Sequence, residues 1–137
     1  MNMIGKLRHK GSALILTVFI VALLAAVVMG MLQINTEEIQ IMRNQIYTVD
    51  ALAIAEAGLN DAFSKIRADS SWNAGFMDKA FNSGSYTVTV GGISPSLTII
   101  STGTSSQGFV GRVEAEVTVG VDFPHLIRID SLRFNNN

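Results

Sequence analysis

The amino-acid sequence predicts an α+β fold, in which a long N-terminal helix packs by its second half on a small C-terminal antiparallel β-sheet. Three observations predict this fold. Residues 12–32 are almost entirely apolar and carry no charge. Apolar residues at helical steps of three and four then continue to about residue 68 without a proline. After Gly84 the pattern changes to the alternation of period two that is typical of strands.

The first segment, residues 1–11, is short, polar and basic, and it has no hydrophobic period with which it could pack. We therefore expect it to be a leader outside the fold. As a helix, residues 12–32 rise about 31 Å, which is close to the thickness of a bilayer's hydrocarbon core. Basic residues precede this run and the acidic pair Glu37 and Glu38 follows it, so the positive-inside rule predicts a cytoplasmic N-terminus and an exported remainder.

Residues 33–68 are predicted to be an amphipathic continuation of the same helix. The first half of the long helix should lie in lipid or against other helices, and the second half against its own domain. Gly30 and Gly58 each cost about 1 kcal/mol relative to Ala in a helix interior, which leaves close packing, local melting and simple tolerance open. Asp61 is predicted to belong to the solvated face. The predicted packing stripe consists of Leu52, Ala55, Leu59, Ala62, Phe63 and Ile66.

The helix is expected to end where Ser, Asn and Gly become frequent, in residues 69–84, and residues 69–137 are expected to form the small β domain. Four later runs, residues 85–90, 96–102, 109–121 and 126–134, predict three or four antiparallel strands. Three aromatic residues are predicted to cover the join between helix and sheet: Trp72, Phe76 and Phe81. One face of the third run is predicted to pack on the helix, through Val113, Ala115, Val117, Val119 and Val121.

Composition argues against several classes of function. The formal charge is −1, and loss of residues 1–11 would remove three basic and no acidic residues, leaving −4 without a basic stripe for nucleic acid. The absence of cysteine excludes disulfides, thiolate metal sites and a Cys nucleophile. No catalytic or cofactor motif is present, so we expect neither an enzyme nor a cofactor. Asp122, His125 and Asp130 lie near one another in the sequence, but their spacing is not that of a calcium loop, and no metal site is predicted.

The junction Lys10-Gly11-Ser12 resembles the class III leader of type IV prepilins. The stretch AEAGL at residues 55–59 and the run STGT at residues 101–104 are similar to those of PilX-type minor pilins and related pseudopilins. The resemblance implies that prepilin peptidase cleaves after Gly11 and leaves Ser12 as a new, methylated N-terminus. It implies three kinds of partner: the peptidase, other pilins or pseudopilins, and an inner-membrane assembly platform.

The resemblance also implies a location. The chain would cross the bacterial inner membrane once, with its C-terminal domain outside, and then enter a periplasmic or extracellular filament. The expected function is therefore that of a minor pilin or pseudopilin. The alternative is an uncleaved, single-pass anchored extracytoplasmic binding domain that is not part of a filament. The leader pattern does not distinguish a pilus from a DNA-uptake or secretion filament.

Particular residues of the apolar run are expected to govern assembly. Most major pilins carry Glu as the fifth mature residue, whereas that position here is Leu16. In lacking this acid the chain resembles the K-type minor pseudopilin of type II secretion, and the resemblance implies that the subunit initiates the filament or lies at its tip. Helix packing in lipid depends on small residues, here Ala22, Ala25, Ala26 and Gly30.

Overall fold

The computed structural model describes residues 3–136, with side chains over residues 11–135. It contains one helix followed by five strands, which confirms the α+β fold class. The elements are α1 (Met3–Ala68), β1 (Phe76–Phe81), β2 (Gly84–Ile93), β3 (Ser96–Thr104), β4 (Val110–Val119) and β5 (Ile127–Asn136). The chain divides into two compact units, Met1–Met42 and Arg43–Asn137.

Within the first unit, the described residues all belong to α1. From residue 11 to residue 42 every residue is exposed except Gly30, which is half-buried. Residues 11–42 therefore form no hydrophobic core among themselves, and their apolar surface needs a partner or a solvent other than water.

The second unit contains the remainder of α1 and an antiparallel sheet in the order β1-β2-β3-β4-β5. Each strand pairs with its neighbour in the chain, so β1 and β5 are the two edges. Register shifts interrupt the outer two pairings: β1 has an extra residue between Phe76 and Lys79, and β5 has one, Asp130, opposite the step from Glu116 to Val117 in β4. The inner pairings, β2 with β3 and β3 with β4, are regular over nine residue pairs each.

The core lies between α1 and one face of this sheet. Its helix side includes the predicted positions Ala55, Leu59, Ala62 and Ile66, together with Ile54. On β4 the inward residues from Val113 to Val119 are buried, as the alternation predicts. Val121 was expected to join them, and this is wrong: its side chain is 90% exposed, because β4 ends at Val119 and the chain turns away.

Glycines allow the helix to approach the sheet closely. A Cβ at Gly58 would lie 2.5 Å from the Ser101 Oγ, and one at Gly111 would lie 2.7 Å from the backbone nitrogen of Leu52. At Gly103, an added Cβ would collide with the backbone oxygen of Ala51. The distance between helix and sheet is thus determined by residues without side chains on both layers.

Strand β1 was not predicted. Its residues lie in the stretch of residues 69–84 that the composition assigned to irregular structure, so the sheet has five strands rather than three or four. The run FMDKAF lacks the alternation of a half-buried strand, and it is broken by a bulge with a positive φ at Asp78. Trp72 and Phe76 do pack against the core at the helix–sheet join, whereas Phe81 is 45% exposed.

Candidate assembly and processing segment

The proposed processing residues, Gly11 and Ser12, lie in α1 and are exposed. Among the residues whose side chains are described, no atom outside the local helix lies within 4 Å of a Cβ built at Gly11, so a substituent at Gly11 meets no neighbour there. A peptidase that cleaves between Gly11 and Ser12 must first unwind the backbone locally. Glycine lowers the cost of unwinding by about 1 kcal/mol relative to Ala.

The segment that follows presents a continuous apolar surface. None of its most apolar stretch of 18 residues is buried. By length and composition, α1 is able to cross a membrane. The hydroxyl of Thr17, one of two polar side chains in residues 12–32, donates to the backbone oxygen of Leu14 at 2.8 Å. The Thr17 hydroxyl therefore already has a hydrogen-bond partner within the helix, as an apolar solvent requires.

The predicted small residues share one side of this helix. At 100° per residue, Ala22, Ala25, Ala26 and Gly30 fall within an arc of about 140°. No atom outside the local helix lies within 4 Å of a Cβ built at Gly30. Leu16 is exposed and falls about 40° beyond Gly30, next to the same arc. A second helix could approach closely along this side.

A polar cluster at the other end of α1 was missed by the sequence analysis. Asp61 does not lie on a plain solvated face: its Oδ2 accepts hydrogen bonds from Lys79 Nζ at 2.5 Å and from the Tyr86 hydroxyl at 2.6 Å. These bonds, the one from Lys79 first, lower the pKa of Asp61 below its ordinary value. The cluster joins α1 to β1 and β2. No sequence signal pointed to it, because the three residues share no motif or helical spacing.

An apolar groove in the second unit, between α1 and β5, was also missed. It has a volume of about 190 Å³ and is lined partly by Leu59 and Phe63 from α1 and by Ile129, Leu132 and Phe134 from β5. Residues 126–134 were predicted to be a strand. That prediction could not show that the helix leaves part of one apolar face of the strand uncovered.

The three residues considered for a cation do not form one site. Asp130 accepts hydrogen bonds from Thr118 Oγ1 at 2.6 Å and from Arg128 Nε at 2.7 Å. The Nδ1 of His125 lies 2.9 Å from the backbone oxygen of Gly120. Over the part of the chain that the structure describes, no three acidic or histidine side chains converge on a common point.

No family model, curated protein or solved structure matches the chain. Two observed features bear on function instead. One is the α+β architecture, which agrees with the pilin-like description. The other is an exposed apolar segment that belongs to the same helix as the packed one.

Proposed function

We propose that this chain is a minor pilin or pseudopilin subunit, cleaved after Gly11 by prepilin peptidase and incorporated into a type IV pilus or type II secretion-like filament, which it initiates or caps. One observation carries the proposal. Helix α1 contains both the uncharged, exposed residues 12–32 and the buried face that packs on the sheet. Removal of residues 1–11 would leave both parts of the helix attached to the β domain, whereas an ordinary signal cleavage would remove the apolar run.

The physical mechanism is an exchange of helix contacts. In the membrane, lipid covers residues 12–32, and in the filament similar helices replace the lipid. Apolar burial alone gives no net gain in this exchange, so association depends on close packing at Ala22, Ala25, Ala26 and Gly30. The β domain meets neighbouring subunits outside the membrane. Leu16 is compatible with lipid at little cost, but it cannot pair with a neighbouring terminal amine.

The test is the intact mass and N-terminal sequence of the chain, purified from membranes of cells that contain prepilin peptidase. A chain that begins at Ser12, with an added methyl group, is the expected result. The variant Gly11→Ala should insert in the membrane but be processed slowly or not at all. Gly5→Ala is the matched control, because it also replaces a leader glycine with alanine, and it should be processed normally.

Normal cleavage of Gly11→Ala would remove the basis for assigning Gly11 as the processing residue. A wild-type chain that retains Met1 would contradict entry into the pilin pathway. It would favour the uncleaved, anchored binding domain instead.

A further inference from the structure

The two edges of the sheet differ in how well they are covered. Strand β1 is short, it is interrupted by a bulge, and Lys79 reaches from it to Asp61 on α1. Such features protect an edge from pairing with another chain. Strand β5 has one extra residue, Asp130, but it is regular from residue 131 to residue 136, and the structure gives it one pairing partner within the described chain, β4. The outer row of backbone donors and acceptors in residues 131–136 is therefore open.

The helix-facing side of β5 is also incompletely covered. Ile129, Leu132 and Phe134 stand opposite the buried β4 residues Val117, Ala115 and Val113, so their side chains point toward the helix layer. They remain 49%, 43% and 52% exposed, respectively, because α1 packs over the middle of the sheet. Together with Leu59 and Phe63 they form the groove described above. The open backbone edge and the half-covered apolar groove lie side by side.

Two charged residues near β5, one on each face, have no ion-pair partner within residues 11–135. On the outer face of β5, Arg133 stands opposite Glu114, but Glu114 is within 3.5 Å of Arg112 instead. Within residues 11–135, neither Arg133 nor the groove residue Glu56 forms an ion pair. A strand placed beside β5 would bring one of its outward side chains next to Arg133. An acidic side chain at that position would complement the charge.

We propose that β5 accepts an extended segment of a different protein, which pairs with its free edge, places alternate apolar side chains over the groove, and presents an acidic side chain to Arg133. Backbone hydrogen bonds would supply affinity and the groove would supply specificity, as in other cases of strand addition. The added strand would also cover Ile129, Leu132 and Phe134. This inference concerns the second unit and does not depend on cleavage at Gly11.

A second copy of the chain is a less suitable occupant. Its β1 edge is interrupted by the bulge and by the positive φ of Asp78. Its β5 edge would bring Arg133 of both copies onto one face of the joined sheet, where like charges repel. A different protein can avoid both problems.

The experiment uses the full chain inserted in lipid nanodiscs at one copy per disc, which keeps free detergent away from the groove. The probe is a fluorescent ten-residue peptide in which valines alternate with threonines and one threonine is replaced by glutamate. Fluorescence anisotropy should detect saturable binding below about 1 mM. Methylation of alternate peptide nitrogens along one edge should abolish binding, and methylation along the other edge should not, because only one edge of an added strand faces β5.

Variants of the chain then locate the site. Leu132→Ser should weaken binding about tenfold, whereas the matched control Ile93→Ser, on an exposed apolar residue outside the groove, should not change it. Arg133→Glu should weaken binding of the acidic peptide. A peptide with lysine in place of glutamate should recover the affinity on that variant. This pair of changes, Arg133→Glu in the chain and lysine for glutamate in the peptide, tests the contact without altering the hydrophobic core.

Several outcomes would overturn the proposal. One is the absence of saturable binding up to about 1 mM, and another is binding that is insensitive to both Arg133→Glu and backbone methylation. Loss of binding with either methylation pattern would indicate a peptide held as a helix rather than as a strand. Discs that hold two copies provide the last test: if an added two-electron oxidant readily links the two copies of the Arg133→Cys variant by a disulfide, the occupant is a second copy.

Discussion

Gly58 lies where α1 packs directly on side chains of the sheet. A Cβ built there would lie 2.5 Å from Ser101 Oγ and 2.8 Å from the ring of Tyr86. Ser101 is fully buried, and its hydroxyl has no hydrogen-bond partner among the described residues. The glycine, which the sequence left open to three explanations, is thus explained by close packing.

We expect Gly58→Ala to lower the free energy of unfolding by up to about 2 kcal/mol, because overpacking of a closed core costs about 1–3 kcal/mol and the gain in helix propensity returns only about 1 kcal/mol. The measurement is chemical unfolding of the full chain in detergent micelles, followed by the fluorescence of Trp72, the sole tryptophan. Gly30→Ala is the matched control and should not lower stability, because no atom outside the local helix lies within 4 Å of the added Cβ. Equal midpoints for Gly58→Ala and wild type would show that the layers can separate without cost.

At the scale of elements, the edge strand β1 depends on the helix for its position. Lys79 bonds Asp61 and also lies 4.6 Å from the centre of the Phe76 ring. Phe76 in turn contacts the rings of Trp72 and Tyr86. A short strand without alternation is stable here because α1 supplies both a carboxylate and an apolar surface.

This link predicts a pH dependence. Because the hydrogen bonds from Lys79 and Tyr86 lower the pKa of Asp61 in the folded state, its contribution to stability is present above the unfolded value of 3.8 and is lost as the pH falls through the folded pKa. We expect Asp61→Asn to reduce the unfolding midpoint at pH 7, by less than Gly58→Ala does. The difference from wild type should shrink below about pH 4.

The matched control for this prediction is Asp50→Asn, which replaces a carboxylate on the same helix that forms no ion pair within residues 11–135. Its effect should be small at every pH. A difference between Asp61→Asn and wild type that persists unchanged to pH 2 would show that the effect is steric rather than electrostatic.

At the scale of the whole molecule, the uncharged length of α1 determines where the chain can reside. A carboxylate within such a helix costs up to a few kcal/mol on insertion, unless it meets a partner. At residue 16 the proposed partner would be the terminal amine of a neighbouring subunit. The leucine avoids the cost of insertion and also removes the pairing.

We therefore expect Leu16→Glu to change the number of copies in each filament, or to move the subunit away from the tip. Quantitative mass spectrometry of purified filaments and immunogold labelling would measure the two effects. Leu14→Glu is the control, because it adds the same acid two residues earlier and should reduce insertion without changing position in the filament. Unchanged number and location for Leu16→Glu would contradict the initiating or tip assignment.

Local patterns were sufficient for much of the fold. Apolar residues that recur every 3.6 residues predicted the packing face of α1. The helix ends at Ala68, which is close to the predicted boundary. The period of two gave β2, β3, β4 and β5, with boundaries that differ from the predicted ones by up to three residues. These features were predictable because each depends on which side of a single element is apolar.

The features that were not predictable depend on contacts between elements distant in the chain. By itself, the sequence determined the fold class, the apolar segment of residues 12–32 and the inward face of β4. Only the tertiary structure decided that β1 is a strand, that Asp61 bonds Lys79 and Tyr86, and that α1 leaves β5 half covered. The physical reason is that periodicity records how one element meets apolar surroundings, whereas edge pairing, ion pairs and grooves arise only where two or more elements are brought together.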